Sequence, residues 1–204
     1  MSAEEPAIAA EIRACRKCAA EFALTATKHG PRPVVWFRRT ARILIVGQAP
    51  GLRVHESGVP FDDRSGDRLR DWLGLTRDEF YDRDRIGIVP MASCFPGYDA
   101  SGSDLPPPPR CAASWRRQTL QALDQVRLLI VIGGYAQGWH LGDAARKAGV
   151  AATVADWRRW APATLPLPHP SWRNNAFLRR NPWFEADLIP ALRLRIREVM
   201  DQTS

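Results

Sequence analysis

The chain has 204 residues, of which 45% are hydrophobic and 25% are charged. A chain of this length buries enough surface to fold without a disulfide or a metal, and its composition excludes a disordered protein. No apolar run approaches the roughly 20 residues of a membrane span, and the acidic segment 1–6 is unlike a secretory signal. We therefore expect one domain over residues 1–204, in a cytoplasmic and monomeric protein without a membrane partner.

The net charge is the first unusual property. There are 29 basic and 22 acidic residues, which gives a charge of +7, and all but three of the basic residues are arginine. The planar guanidinium suits bidentate contacts with phosphate, so this excess favours a polyanionic partner such as nucleic acid. Codon bias in a GC-rich genome would raise arginine over lysine equally well, and the charge alone therefore does not define a function.

Strand and helix patterns alternate along the chain. Short, continuously apolar runs are typical of parallel strands covered on both faces, and they occur at residues 42–46, 86–89, 128–132 and 165–167. Amphipathic patterns predict helices over residues 65–74, 111–126, 135–149 and 183–200, the last interrupted at Pro190. Segment 95–110 is rich in proline and glycine and predicts an exposed loop. This order predicts an α/β fold with a central parallel sheet flanked by helices.

The four cysteines are candidate metal ligands. Cys15 and Cys18 form a C-x-x-C pair in what we predict to be an N-terminal helix, and Cys94 and Cys111 follow far along the chain. A redox pair is expected after a strand instead, and disulfides are disfavoured in a reducing compartment. Four thiolates gathered by the fold could hold a [4Fe–4S] cluster or a structural zinc ion. Four unrelated buried thiols are the alternative that the spacing leaves open.

Three motifs lie beside the predicted strands. They read G-Q-A-P-G at residues 47–51, G-V-P-F-D-D-R-S-G at residues 58–66, and H-P-S at residues 169–171. Together with the order of the four cysteines, they resemble the uracil-DNA glycosylase superfamily, particularly its family 4 iron–sulfur branch. The resemblance implies a four-stranded parallel sheet with a DNA groove at the carboxyl ends of the strands, where open α/β sheets generally bind ligands. It also implies that the cysteines hold a [4Fe–4S] cluster, with zinc as the alternative.

The resemblance implies a pocket for a base that is flipped out of the DNA. Phe61 would stack on the base, and His169 would donate a hydrogen bond to the uracil O2 as negative charge develops there. The backbone around the base would come from Gly47, Gln48 and Ala49. The alternatives are that Phe61 is a core aromatic and that His169 belongs to a packed turn after the last strand.

The resemblance implies that the segment after the H-P-S motif enters the minor groove as a wedge. Ser171 would line the pocket, and Trp172 or Arg173 would fill the space that the flipped nucleotide leaves. Arg179 and Arg180 would contact phosphates. As alternatives, Trp172 packs in the core and the two later arginines form a plain solvated surface.

The catalytic carboxylate is one point at which the sequence departs from family 4. Gln48 stands where that branch carries Glu. An amide cannot act as a base, and Gln48 can only position the water or the base edge through hydrogen bonds. A related branch draws its acid from just after the stacking Phe, so we nominate Asp63, and then Asp62, to position the attacking water. Both could instead cap the helix that begins near Ser65.

Base recognition is the second departure. Family 4 has an Asn four residues before the third cysteine, and here that position is Pro90, which offers no donor. Other deaminated bases, such as hypoxanthine or xanthine, become plausible substrates. The motifs contain no lysine to form a Schiff base, so we expect a monofunctional glycosylase that removes uracil or another deaminated base from DNA and leaves an abasic site. The alternative is a non-catalytic binder of deaminated or damaged DNA.

Overall fold

The computed structural model describes residues 5–201. Its four strands form one all-parallel sheet in the order β2-β1-β3-β4. The strands are β1 Ile43–Val46, β2 Ile86–Ile88, β3 Leu128–Ile132 and β4 Thr164–Leu167. The predicted α/β fold with a parallel sheet flanked by helices is confirmed, because each strand forms at the expected apolar run.

Helices connect the strands and cover the sheet. The α-helices of the described residues are α1 Ala7–Ala14, α2 Ala19–Ala23, α3 Leu52–Ser57, α4 Arg64–Leu73, α5 Arg77–Tyr81, α6 Pro109–Ala122, α7 Gly133–His140, α8 Asp143–Ala155, α9 Asn175–Arg180 and α10 Ile189–Asp201. Short 3-10 turns span Trp157–Arg159 and Trp172–Asn174, and a π-helical turn spans Phe184–Leu188. Within residues 5–201, no helix has the length and apolarity needed to cross a membrane. The prediction that the N-terminal segment is not a secretory signal falls partly on residues 1–4, which lie outside the described residues.

Both faces of the sheet are buried, which explains why the strands are continuously apolar. Along β1, Ile43 and Ile45 point into a core shared with α4 and α10, whereas Leu44 and Val46 point into a core shared with α1 and α6. Successive side chains of a strand alternate between the faces. A polar residue on either face of β1 would therefore enter a core.

The predicted helix over residues 135–149 differs from the observed structure. The single helix expected over residues 135–149 is divided into α7 and α8, because Gly142 adopts a left-handed φ of 83° between them. The final helix is interrupted as expected near Pro190, where the π-helical turn gives way to α10. Proline lacks the N–H that would continue the regular hydrogen-bond ladder.

The C-x-x-C pair was expected inside a helix and lies between two helices instead. Cys15 ends α1 in an extended conformation, and Cys18 directly precedes α2. Both cysteines line the same space as Cys111 of α6.

The sheet register gathers the sequence motifs at one edge. All four strands run in the same direction, so the segments that follow β1, β2 and β4 leave the sheet at its carboxyl end, the first two as neighbours and the third beyond β3. Beyond the strands, the Met91 N–H donates to the Gly47 carbonyl (2.9 Å) and the Ala92 N–H donates to the Gln48 carbonyl (3.1 Å). The G-Q-A-P-G turn is therefore joined to the segment after β2.

Candidate functional site

The backbone of Phe61 has an unusual conformation that places its ring over the G-Q-A-P-G turn. Its φ is 54°, in the left-handed region that side chains other than glycine rarely adopt. A Cβ on Gly47 would lie 3.5 Å from the Phe61 Cζ, and a Cβ on Gly66 would lie 1.8 Å from the Phe61 carbonyl oxygen. Only glycine fits at residue 66. The ring is half-buried, so one part packs on the core while another stays accessible for stacking.

Two side chains hold the strained peptide of Phe61. The Tyr81 hydroxyl donates to the carbonyl oxygens of Pro60 (2.9 Å) and Phe61 (3.2 Å), and the Arg70 guanidinium donates to the Phe61 carbonyl at 3.4 Å. Arg70 also stacks on the Tyr81 ring at 5.7 Å. Rare backbone conformations persist where neighbours over-determine them, and these contacts do so at Phe61.

His169 lies just beyond β4 with a defined tautomer. The Ser171 N–H donates to His169 Nδ1 at 3.2 Å, and the Asn174 amide donates to the His169 carbonyl at 2.7 Å. Burial lowers the pKa of the His169 imidazole, an effect that the carboxylates of Asp63 and Asp104 oppose. The ring is therefore neutral at pH 7, with Nδ1 as an acceptor and the proton on Nε2. A neutral Nε2–H is a hydrogen-bond donor that costs no buried charge.

The two nominated carboxylates occupy different positions. Asp63 caps α4: its Oδ1 accepts from the Gly66 N–H (2.9 Å) and the Ser65 hydroxyl (2.6 Å). Its other oxygen has no hydrogen bond within residues 5–201. Asp62 pairs with Arg77 at 3.1 Å on the surface. The alternative that these residues cap the helix is thus confirmed for Asp63 and wrong for Asp62. Of the two carboxylates, Asp63 is the one whose charge raises the pKa of His169.

The segment after His169 presents an exposed aromatic. Trp172 is 73% exposed, so the alternative that it packs in the core is wrong, and the Arg173 guanidinium lies 5.9 Å from its ring. Arg68 of α4 holds this segment by donating to the Ser171 carbonyl (3.2 Å) and the Asn175 side chain (2.8 Å). The helix that follows Phe61 therefore also positions the predicted wedge.

Residues 35–193 match the family model of the uracil DNA glycosylase superfamily. The chain belongs to this superfamily. The match covers the strands, the G-Q-A-P-G turn, Phe61 and the H-P-S motif, and it supports a DNA-glycosylase type of function with DNA as the substrate.

The glycosylase domain carries its four cysteines around one cavity. Cys15, Cys18, Cys94 and Cys111 line one solvent-connected space between α1, α6 and the segment after β2. Burial raises the pKa of the Cys94 thiol to about 12 and also raises the pKa values of Cys18 and Cys111. The Ser93 N–H donates to the Cys111 sulfur at 3.4 Å. Within residues 5–201, no three His, Cys, Asp or Glu side chains lie close enough to hold a single metal ion.

Pro90, at the place where we predicted a loss of base recognition, offers no donor, and its carbonyl accepts from the buried Arg116 at 2.6 Å. Gln48 and Ala49 are half-buried in the turn after β1. The sequence patterns did not single out Arg68 or Asp104. Arg68 lies one turn into α4 and could have been suspected from that place, whereas Asp104 belongs to a loop whose path no sequence pattern defines.

Proposed function

We propose that this protein is a monofunctional DNA glycosylase that hydrolyses the N-glycosidic bond of uracil, or of another deaminated base, and leaves an abasic site. The observation that carries the proposal is the neutral His169 at the carboxyl edge of the sheet, with its Nε2–H available as a donor and the Asp63 carboxylate close enough to act on its pKa. Phe61 lies over the neighbouring turn with an accessible ring.

In the proposed mechanism, the target nucleotide leaves the stack and its base lies against Phe61. As the glycosidic bond stretches, negative charge develops on the base, and His169 donates its Nε2–H to the base oxygen. One such preorganised donor is worth about 2.7–4 kcal/mol of the barrier. His169 requires no proton transfer for this function, because a neutral imidazole donates through Nε2 while Nδ1 remains bonded to Ser171.

Water would attack the sugar from the side where a carboxylate offsets the developing positive charge. Asp63 is the candidate, since capping uses only its Oδ1. Asp62 is the weaker candidate because Arg77 neutralises it. Hydrolysis by water, with the three lysines at residues 17, 28 and 147 outside the motifs, supports a monofunctional reaction.

The range of bases is argued from the groups near residue 90. Pro90 supplies neither a side-chain donor nor an N–H, and its carbonyl is engaged by Arg116. Gln48 is then the amide side chain that the motifs offer to a base edge. An amide both donates and accepts, which supports a wider range of deaminated bases, with hypoxanthine and xanthine beside uracil.

We also propose that the four cysteines bind a [4Fe–4S] cluster, with zinc as the alternative. Four soft thiol donors around one cavity fit a cluster that takes one thiolate at each iron. A single zinc ion would instead draw the same four thiolates into one tight tetrahedron. When bound, the group would cross-link the turn between α1 and α2 to α6. Brown protein with matching iron and acid-labile sulfide supports the cluster; colourless protein with zinc supports the alternative.

The test is a base-excision assay with end-labelled oligonucleotides that contain one uracil, hypoxanthine or xanthine, single-stranded or in a duplex. Alkali-dependent cutting by the wild type, lost in His169→Ala but kept in Arg127→Gln, is the expected result. Arg127 serves as the control because it lies at the opposite, amino end of β3.

Absence of cutting at every base, with tight binding to the same duplexes, would replace the enzyme with the non-catalytic binder. That second candidate is favoured by the amide at Gln48 and by the capping contacts of Asp63.

A further inference from the structure

Arg116 is a buried charge that the proposed chemistry does not use. Its side chain, on α6, is 2% exposed, and its guanidinium donates to the carbonyls of Val89 (3.0 Å) and Pro90 (2.6 Å) and to the Met91 sulfur (3.3 Å). No carboxylate pairs with it within residues 5–201. Burial lowers the pKa of Arg116 to about 10, so the group remains charged at neutral pH. A buried cation is costly unless its donors are satisfied, and these acceptors take up three of the five N–H groups of Arg116.

The acceptors of Arg116 belong to the segment after β2 that supports the G-Q-A-P-G turn. The Val89 N–H donates to Ile45 at 2.9 Å, and the next two donors, at Met91 and Ala92, reach Gly47 and Gln48. This segment thus continues the sheet pairing beyond the strands. A shift of residues 89–92 would move the backbone against which the flipped base lies.

The same helix holds the other end of this segment. Cys111 lies in the first turn of α6 and accepts from the Ser93 N–H, while Arg116 follows five residues later and binds residues 89–91. Two contacts from one rigid helix therefore fix both ends of the segment. The carbonyls of Val89 and Pro90 point toward α6, because each accepts from its buried guanidinium.

We propose that Arg116 is a positioning residue of the base-excision site. It fixes residues 89–92 and, through them, the backbone of Gly47 and Gln48. The inference rests on the proposed function for its effect on excision, but the contact itself can be measured without activity. The planar fork of arginine presents two separate nitrogens to these acceptors in a fixed geometry, whereas a lysine ammonium is a single point charge on a flexible stem.

The experiment compares Arg116→Met, Arg116→Lys and the control Arg117→Met in the full-length protein. Arg117 is exposed on the same helix and makes no hydrogen bond or ion pair within residues 5–201. Three quantities are measured: amide hydrogen–deuterium exchange at Met91 and Ala92, the single-turnover excision rate, and the Kd for a duplex with an abasic-site analogue. Of these, only the amide exchange and the excision rate report on the position of residues 89–92.

In Arg116→Met we expect exchange at Met91 and Ala92 to rise roughly tenfold. The excision rate should fall roughly 10- to 100-fold, because a small misplacement of the base has that effect, while the Kd stays unchanged. Arg116→Lys should be intermediate and Arg117→Met should match the wild type. If Arg116→Met does not fold, the exchange and excision rates of Arg116→Lys test the proposal instead.

The proposal would be overturned if Met91 and Ala92 exchanged at the wild-type rate in Arg116→Lys, and in Arg116→Met if that variant folds. It would also be overturned if exchange in these variants were faster while their excision rate stayed at the wild-type value. If the wild type itself excises no base, the proposed function fails, whereas the exchange measurement still decides whether Arg116 fixes residues 89–92.

Discussion

Phe61 could be identified from the sequence, but its backbone conformation could not. Its place after G-V-P identified it through the superfamily resemblance. Nothing in the sequence indicated a φ of 54°, because phenylalanine has no preference for the left-handed region. That conformation depends on Gly66, Tyr81 and Arg70, which lie five to twenty residues further along the chain and meet Phe61 only after folding.

Substitution of Gly66 tests this contact. In Gly66→Ala the new Cβ would lie 1.8 Å from the Phe61 carbonyl, so Phe61 or α4 must move. We expect the free energy of unfolding to fall by about 2 kcal/mol or more, measured by urea denaturation. Gly30→Ala is the control, because nothing lies within 4 Å of its Cβ. Equal stability of the two variants would contradict the close approach described here.

The His169 tautomer predicts a pH profile for excision. Because burial lowers the pKa of His169 below its ordinary 6.5, the single-turnover rate should stay level down to pH 6.5 and fall only below it, as Nδ1 gains a proton and loses the Ser171 N–H. Asp104→Asn removes a charge that raises this pKa, so its acid limb should move to lower pH. An acid limb above pH 6.5, or one that moves upward in Asp104→Asn, would contradict the assignment.

At the scale of elements, the strands were predictable and the helix boundaries were less so. Apolar runs such as β3 have one physical explanation, burial on both faces of a sheet. The break between α7 and α8 depends on Gly142 adopting a left-handed φ, and glycine permits that conformation without requiring it. The turn between Cys15 and Cys18 was likewise not evident, since the sequence there contains no glycine or proline.

Helix α4 gives a way to separate capping from chemistry at Asp63. Asparagine is as good an N-cap as aspartate, whereas alanine is not. Asp63→Asn should therefore keep the stability of the wild type and lose excision, because only the carboxylate can offset a cationic sugar. Asp63→Ala should lose excision and also about 1 kcal/mol of the free energy of unfolding. Urea denaturation and single-turnover rates measure the two effects, and full activity of Asp63→Asn would end the catalytic assignment.

At the scale of the whole molecule, the sequence placed the site's named residues at one edge of the sheet but not the contacts between them. The resemblance identified Phe61 and His169, and strand order brings their segments together. Arg116 was not identifiable, because a lone arginine on an amphipathic helix is usually solvated. Its buried position follows from the packing of α6 on the segment after β2, which no local pattern encodes.

The half-buried His140, whose Nε2 is enclosed, predicts how the stability of the whole domain depends on pH. Burial, and then the charge of Arg116, lower its pKa to about 3. Below pH 6.5 the unfolded chain binds a proton at this residue that the folded chain does not, so stability falls on acidification by about 1.4 kcal/mol per pH unit until about pH 3. The free energy of unfolding is measured in urea for the wild type and for His140→Leu at each pH. The difference between the two proteins should show this slope. A flat difference across that range would contradict the shift.

The excess positive charge predicts the salt dependence of DNA binding. Arg179 and Arg180 are exposed at the end of α9, beyond the predicted wedge, and form no ion pair within residues 5–201. If each contacts a phosphate, Arg179→Gln and Arg180→Gln should each reduce the slope of log K against log salt by about 0.9, measured by fluorescence anisotropy on duplex DNA. Arg127→Gln removes the same charge from the opposite edge of the sheet and should leave the slope unchanged. An equal reduction in all three variants would mean that net charge alone binds DNA, and an unchanged slope would make Arg179 and Arg180 a plain solvated surface.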